Sequence, residues 1–179
     1  MSFKKTNFFK EFLSYFFIII LAIVFSISVR IFIFEPFIVP TPSMEPTLLV
    51  GDKVIVNKLA YKTASIKKGD LVVFHSSIIG KDLVKRAIAL EGDKITLTDN
   101  GDIYINKKKI AEDYLPEDYN ITYSNQTLIV KEGKVFVMGD NRNDSYDSRY
   151  FGPISEEEIF GKVVFIYLPL SRLRTVNNS

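Results

Sequence analysis

The sequence predicts a mainly β, antiparallel domain that is preceded by one N-terminal transmembrane helix. The helix is predicted by eighteen successive uncharged residues from Phe12 to Val29. The β domain is predicted by short runs of apolar and β-branched residues that alternate with Gly-Asp turn pairs. These pairs begin at Gly51, Gly69, Gly92, Gly101 and Gly139. A chain of 179 residues has room for one such membrane segment and one domain of ordinary size.

The apolar N-terminal run is long enough to reach almost across a bilayer. As a helix, its eighteen residues would be about 27 Å long, close to the ~30 Å of the hydrocarbon core. The run resumes after Arg30, whose long side chain can reach the headgroups, so the predicted transmembrane helix covers residues 12–34. Residues 1–11 then form a short N-terminal segment, and residues 35–179 form the β domain.

The charges on either side of this helix predict its orientation. Three lysines precede it and Glu35 follows it, so the positive-inside rule makes the N-terminus cytoplasmic and the β domain extracytoplasmic. A cleaved signal peptide is the alternative, because the small residues Ser26 and Ser28 could form a processing site. The apolar run is longer than the usual ~7–15 residues of such a peptide and continues past that site. Both interpretations place the β domain outside the cytoplasm.

The remainder of the chain is predicted to be strands and loops, without a long helix. Four prolines in residues 36–46 exclude a helix there. The polar segment 111–125 shows neither the helical nor the strand period, so we interpret it as a short surface excursion. The predicted strands lie near 53–58, 70–75, 82–90, 93–98, 102–110, 126–130, 134–138 and 161–168.

Composition narrows the possible function. The net charge of +2 arises from 23 basic and 21 acidic side chains, which disfavours a nucleic acid as partner. The chain has no cysteine and one histidine, His75, so it has no disulfide framework, no thiol nucleophile and no zinc cluster of the usual ligands. We expect neither a metal nor an organic cofactor.

Two residues could act as the base for a nucleophilic hydroxyl. His75 could serve in a Ser-His-Asp arrangement, but it ends the run LVVFH and no orienting carboxylate is indicated. Lys85 lies in DLVKRAIAL, where strand alternation places it on the same face as Leu83 and Ala87. An apolar face could lower its pKa from about 10.4 by the roughly 2 units that a base near neutral pH requires. The alternative is an ordinary solvated lysine.

The stretch VPTPSMEPTLLVGD contains the candidate nucleophile. Ser43 lies between Pro42 and Pro46, on a stiff backbone nine residues beyond the predicted membrane helix. Thr41 could contribute a hydroxyl donor beside the backbone N–H of Ser43. Composition alone does not separate this stretch from an ordinary Pro-rich linker.

Four segments together resemble the motif boxes of bacterial type I signal peptidases. They are PSMEPTL, GDLVVF, VKRAIALEGD and EGKVFVMGDNRNDSYDSRYFGPI, and they occur in the family's order. The resemblance covers the apolar helix and nearly all of residues 36–168. It implies a coiled antiparallel β-sheet or barrel domain and a serine endopeptidase that removes signal peptides from exported preproteins. It also implies a single-pass protein of the bacterial plasma membrane that contacts the bilayer and the export machinery.

The resemblance assigns roles to individual residues. It implies that Ser43 is the nucleophile, Lys85 the general base, and Thr41 with the Ser43 N–H the oxyanion hole. Ser145 would hydrogen-bond the lysine amine. An ion-pair network would comprise Asp140, Asp147 and Arg149. The shallow pockets for small residues at the −3 and −1 positions of the substrate would be lined by Phe37, Val39, Met44 and Val84.

The chain departs from the family pattern in three places. Ala89-Leu90-Glu91-Gly92-Asp93 replaces the usual GLPGD, and Thr41-Pro42 replaces the usual pair before the nucleophile, which makes the oxyanion donor a β-branched hydroxyl. The middle insertion is short, which indicates a compact form without a large second β domain.

Other interpretations fit the sequence less well. Self-cleaving repressors share a serine-lysine β fold, but they are soluble and carry a DNA-binding head. Ser-x-x-Lys runs at 65–68 and 2–5 lack the companion motifs of penicillin-binding proteins. Relatives in the eukaryotic secretory pathway have histidine where this chain has Lys85. A membrane-tethered homologue that binds preproteins without cutting them is the alternative from another class, although such a protein need not keep Ser43, Lys85 and Ser145 together.

Overall fold

The computed structural model describes residues 8–116, 119 and 121–176. Its first element is helix α1, Phe8–Phe32, in which Lys10–Arg30 is long and apolar enough to cross a membrane by length and composition. The helix ends earlier than residue 34, because Pro36 lacks a backbone donor and favours extended geometry in the residue before it. Of the predicted N-terminal segment 1–11, residues 1–7 lie outside the described residues.

Within the described ranges, twelve strands and two four-residue helices follow α1. The helices are α2, Ala60–Thr63, and α3, Ser148–Phe151. The strands are β1, Phe34–Ile38; β2, Lys53–Asn57; β3, Leu71–Ser76; β4, Lys81–Ala89; β5, Lys94–Leu97; β6, Ile103–Ile105; β7, Lys108–Lys109; β8, Gln126–Ile129; β9, Lys134–Met138; β10, Ile154–Ser155; β11, Ile159–Leu168; and β12, Arg174–Thr175. Short 3₁₀ turns lie at Pro42–Met44, Glu156–Glu158 and Leu170–Arg172.

The strands form two antiparallel sheets. The larger follows the order β1-β2-β11-β3-β4-β9-β10, with β12 paired to β11. The smaller follows β7-β6-β5-β8 and lies between residues 94 and 129, in keeping with the short middle insertion. The larger sheet is open at β1 and β10, so its described strands form a sheet and not a closed barrel. The expected class, a mainly β antiparallel domain after one apolar helix, is confirmed.

Seven of the eight predicted strands coincide with observed strands to within two residues at each end. The eighth, near 102–110, is wrong as a single strand. It is divided into β6 and β7 by a tight turn in which Asn106 and Lys107 have φ angles of 52° and 71°. Positive φ is accessible to asparagine at low cost, and the chain reverses there.

The sequence pattern missed three strands, the two short helices and the three 3₁₀ turns. β1 begins directly after helix α1, and its first residue, Phe34, lies within the range predicted for the helix. β10 and β12 are only two residues long. The Pro-rich stretch 36–46 is largely extended as predicted, but Pro42–Met44 forms a 3₁₀ turn. Proline suits the first position of a helical turn because its φ is already fixed and its missing N–H is not needed there.

The centre of the larger sheet is buried on both faces. In β4 the six residues from Val84 to Ala89 are buried, as are five of the six residues of β3. One core cluster around Val54 and Val73 lies on one face, and another around Phe74 and Val137 lies on the other. A polar side chain in the middle of β4 is therefore forced out of water, and this placement defines the candidate site.

Candidate active site

Ser43 lies on the 3₁₀ turn Pro42–Met44, next to a residue of the hydrophobic core. The residue is 8% exposed, and its neighbour Met44 is fully packed. Two hydrogen bonds from Asn141 fix the turn: its backbone N–H donates to the carbonyl of Ser43 at 3.1 Å, and its side-chain amide donates to the carbonyl of Pro42 at 3.2 Å. Sequence analysis did not identify Asn141, although it lies inside the fourth resembling segment.

Lys85 reaches Ser43 from the middle of β4. It is 3% exposed, and its Nζ lies 2.5 Å from the Oγ of Ser43. It pairs with Val72 across the β3–β4 ladder, and the buried Ala87 and half-buried Leu83 share its face, as strand alternation predicted. The sequence therefore correctly places the lysine in apolar surroundings, and the solvated alternative is excluded.

The surroundings of Lys85 lower its pKa. Burial is the largest cause and brings the pKa from 10.5 to about 8, with Arg149 acting in the same direction and the carboxylate of Asp147 opposing it. About half of the amine is thus neutral at pH 8, and a smaller fraction is neutral near physiological pH. A neutral amine at this distance can accept the proton of the serine hydroxyl.

Thr41 stands beside the nucleophile. Its Oγ1 lies 3.3 Å from the Oγ of Ser43, and the residue is exposed in extended geometry immediately before the 3₁₀ turn. The structure thus places the hydroxyl of Thr41 beside Ser43, whose backbone N–H is the other group that the resemblance links to the oxyanion hole. An exposed hydroxyl is free to turn toward an oxyanion that develops near Ser43.

Ser145 lies close to the site without the predicted hydrogen bond. It is 9% exposed, and among the described residues its Oγ has no hydrogen-bond partner, Lys85 included. A Cβ added to Gly139 would overlap both this Oγ and the carbonyl oxygen of Ser43. Gly139, which the sequence marked only as a turn residue, is therefore required for the close approach of Ser145 to the nucleophile's backbone.

The predicted ion-pair network is present as two separate pairs. Arg149 contacts the buried carboxylate of Asp147 at 2.8 Å, and the same carboxylate accepts the backbone N–H of Gly139 at 2.9 Å. Asp140 pairs with neither of them. Its partner is Arg86, which was not among the predicted site residues.

Arg86 is the second buried cation of β4. It is 1% exposed and holds Asp140 with two hydrogen bonds, from Nε at 2.8 Å and from Nη2 at 2.7 Å. A further hydrogen bond runs from Nη1 to the carbonyl of Gly69 at 3.0 Å. Side chains alternate along a strand, so Arg86 faces away from Lys85. Its place in a largely apolar strand was the signal that could have identified it as a buried arginine, which needs a carboxylate partner.

A narrow cleft opens beside Ser43. Three predicted pocket residues, Val39, Met44 and Val84, line it. Phe37 does not line it, although it packs against the core cluster to which these three belong. The other lining residues are Pro40, Thr41, Ser43, Asp82 and Leu83. Sequence analysis did not identify Pro40, Asp82 and Leu83 as cleft residues.

The strand edge along this cleft is unpaired in the part of the chain that the structure describes. β3 covers one edge of β4 along Lys81–Arg86, but β9 pairs with the other edge only from Arg86 onward. The N-terminal half of β4 and the extended segment before Ser43 line the same cleft.

His75 takes no part in this arrangement. Its Nδ1 lies 2.8 Å from Asp82 on the β3–β4 hairpin, and its side chain is 59% exposed. The hydroxyl of Ser43 has Thr41 and Lys85 as its described partners, so a Ser-His-Asp triad is not formed. Within residues 8–116, 119 and 121–176, no group of three or more His, Cys, Asp or Glu side chains is placed to hold a metal ion.

Comparisons with known proteins identify the family of this chain. The family model described as signal peptidase, peptidase S26, matches residues 10–168. Signal peptidase IB of Staphylococcus aureus is 37% identical over 92% of this chain and 94% of its own length. Signal peptidase I P of Bacillus subtilis subsp. natto is 38% identical over 87% of this chain and 89% of its own length.

One solved structure is also similar in part. A signal peptidase I from Enterococcus faecalis V583 matches with a TM-score of 0.49 and 32% identity, covering 55% of this chain and 97% of that one. The family match spans most of the chain, and relatives above one-third identity cover nearly all of it. This chain therefore belongs to the signal peptidase family, peptidase S26.

Proposed function

We propose that this protein is a membrane-anchored serine endopeptidase that removes N-terminal signal peptides from exported preproteins, with Ser43 as nucleophile and Lys85 as general base. The observation that supports it most is a deeply buried amine with a pKa of about 8 lying 2.5 Å from the serine hydroxyl. Family membership supplies the reaction class, and this contact supplies the chemistry.

The proposed reaction has two steps. Neutral Lys85 accepts the hydroxyl proton of Ser43 while the Oγ of Ser43 attacks the scissile carbonyl. The resulting ammonium returns a proton to the leaving amine. A water molecule then attacks the acyl-enzyme while the same amine takes its proton; the ester bond to Ser43 breaks, and the ammonium returns the proton to the serine oxygen. The hydroxyl of Thr41 and the backbone N–H of Ser43 stabilise the oxyanion in both steps.

The substrate is proposed to bind as an added β-strand. The unpaired edge of β4 and the extended segment before Ser43 offer backbone partners on both sides of the cleft. Alternate substrate side chains then face Val39, Met44 and Val84. The small volume of the cleft favours small side chains at the −1 and −3 positions, because larger ones would overpack it.

The protein is proposed to sit in the bacterial plasma membrane as a single-pass protein. Helix α1 would span the bilayer with residues 1–11 on the cytoplasmic side, and the domain from about residue 35 would act on the outer side. Phe34 and Ile38 expose apolar side chains on β1, directly after the helix, where they can contact the lipid surface. Preproteins would reach the cleft as the export machinery delivers them.

The experiment that tests this function compares four variants in membranes that are given a labelled preprotein. Ser43→Ala and Lys85→Ala are expected to abolish cleavage, because each removes one half of the catalytic pair. The matched controls are Ser65→Ala and Lys62→Ala, both at exposed positions, which are expected to retain activity.

Each outcome separates the candidate functions. Cleavage by wild type and loss in the Ser43 and Lys85 variants support the protease. Binding of the preprotein without cleavage by any variant, wild type included, would establish the non-catalytic homologue instead. Full activity in Lys85→Ala would disprove the proposed mechanism.

A further inference from the structure

The segment predicted to be a surface excursion contacts residues 139–149 and strand β4 as well as the smaller sheet. The described residues of 111–125 form no strand or helix, as expected, but six of their side chains are at least partly buried, and four of the six carry a polar group. We refer to these four, Glu112, Tyr114, Tyr119 and Tyr123, as the clamp. Tyr123 is buried in the core cluster of the smaller sheet.

Three clamp residues surround Arg142, which is 2% exposed. Its guanidinium forms an ion pair with Glu112 and donates to the hydroxyls of Tyr123 at 2.7 Å and Tyr114 at 2.9 Å. Burial raises the pKa of Tyr114, so its hydroxyl keeps its proton and donates to Glu112 at 2.5 Å. The three contacts with Arg142 connect the clamp to the loop of residues 139–149.

Arg142 connects the clamp to residues near the catalytic pair. Its Nε donates to the carbonyl of Gly139 at 3.1 Å, and its own carbonyl accepts from Arg149 at 2.7 Å. The charged groups that act on Lys85 are Asp147, Arg149, Asp140 and Asp144, all within residues 139–149. The position of this loop therefore sets the electrostatic surroundings of the lysine.

The clamp also contacts the strand and the nucleophile turn. The ring of Tyr114 lies 3.7 Å from the guanidinium carbon of Arg86, the residue next to Lys85, in cation–π geometry. The hydroxyl of Tyr119 donates to the side-chain oxygen of Asn141 at 2.7 Å. Asn141 in turn holds the backbone of Ser43.

We propose that the clamp positions the catalytic pair by fixing loop 139–149 and strand β4 relative to Ser43; this role rests on the proposed peptidase function. Clamp residues touch neither Ser43 nor Lys85 through the hydrogen bonds described, so they act through Arg142, Asn141 and Arg86. Small misplacements of reacting groups lower rates strongly, by about 100-fold for 1 Å, so such contacts govern the catalytic step.

The test uses the full-length enzyme in detergent with a signal-peptide substrate. Glu112→Gln removes the charge partner of Arg142, Tyr114→Leu removes the ring and the hydroxyl, and Tyr114→Phe removes the hydroxyl alone. The control is Asp113→Asn, an exposed carboxylate next to Glu112. Each variant is checked by circular dichroism and assayed for kcat, KM and the pH dependence of kcat/KM.

A positioning role predicts a specific combination of results. Glu112→Gln and Tyr114→Leu should lower kcat by about 10-fold or more while KM stays within about two-fold, with Tyr114→Phe intermediate. The midpoint of the pH profile should move to higher pH, since a loosened loop admits water and weakens the desolvation of Lys85. Asp113→Asn should match wild type.

Other outcomes would overturn the proposal. Folded Glu112→Gln and Tyr114→Phe enzymes with wild-type kcat and an unchanged pH midpoint would show that the clamp is merely structural. If Tyr114→Leu does not fold, the other two variants still decide the question. If the wild-type enzyme does not cleave the substrate at all, the proposed function fails and not the clamp alone.

Discussion

The two faces of β4 each bury a cation, and the surroundings of the two cations differ. On one face Lys85 has the hydroxyl of Ser43 as its hydrogen-bond partner, and it belongs to no ion pair in the described part of the chain. On the other face Arg86 holds Asp140 with two hydrogen bonds and contacts the ring of Tyr114. The two residues are adjacent in sequence and equally inaccessible to solvent.

The difference follows from the chemistry of the side chains. A lysine can escape the cost of burial by losing its proton, which makes it a base, whereas an arginine stays charged and must be paired. One strand thus places a reactive amine on one face and a structural ion pair on the other. The fold keeps carboxylates out of direct contact with Lys85 and supplies one to Arg86.

The largest expected effect is the removal of the carboxylate from the arginine face. Asp140→Asn leaves the buried guanidinium of Arg86 without its charge partner, which should lower the free energy of unfolding by about 3–5 kcal/mol. Urea unfolding of the full-length chain in detergent, followed by circular dichroism, measures it. Asp99→Asn, an exposed carboxylate, is the control. Equal stability of Asp140→Asn and wild type would show that the pair does not carry the structural role.

Removal of the buried amine of Lys85 should raise the free energy of unfolding, in contrast to removal of the Asp140 carboxylate. The pKa of Lys85 falls from 10.5 to about 8 on folding, so replacement by methionine should stabilise the protein by about 3 kcal/mol at pH 7 while abolishing activity. Below pH 8 both states of the wild type are protonated and the penalty is complete. Between pH 8 and 10.5 only the unfolded chain is protonated, so wild-type stability rises with pH and the advantage of the variant disappears.

The same unfolding measurement, repeated across this pH range, checks the prediction for Lys85. Lys62→Met, at an exposed position, is the matched control and should show no such pH-dependent gain. A Lys85→Met variant that is less stable than wild type at pH 7 would mean that the amine is well solvated or paired in the native state.

The smallest expected effect concerns the exposed pair of His75 and Asp82. Both side chains are more than two-fifths exposed, so His75→Ala should change the free energy of unfolding by less than about 1 kcal/mol. Cleavage activity should be retained, because His75 does not contact Ser43. Loss of activity in this variant would revive histidine as the base and would break the contrast between the two faces of β4.

The sequence predicted those parts of the site that depend on local pattern. The face of Lys85 followed from strand alternation, and the stiff backbone at Ser43 followed from its prolines. What could not be predicted depends on contacts between distant segments: Arg86 and Asp140 are 54 residues apart, and Arg142 and Glu112 are 30 apart. A polar segment without periodicity, such as 111–125, gives no indication that its tyrosines lie against residues 139–149.

The family resemblance assigned further roles, and the positions of the residues in the structure fit some of these roles better than others. Val39, Met44 and Val84 line the cleft, whereas Phe37 does not, and Ser145 is buried near the site without a hydrogen bond to Lys85. Such differences of a few ångströms depend on side-chain rotamers and packing, which a motif does not encode. The roles of these residues remain predictions for mutagenesis.

The most direct test of the central claim is the pH dependence of kcat/KM for cleavage of a signal-peptide substrate. If neutral Lys85 is the base, kcat/KM should rise with pH, reach half its maximum near the pKa of about 8 and then level off. A profile that is flat from about pH 6 to 10 would contradict a titrating amine at the site.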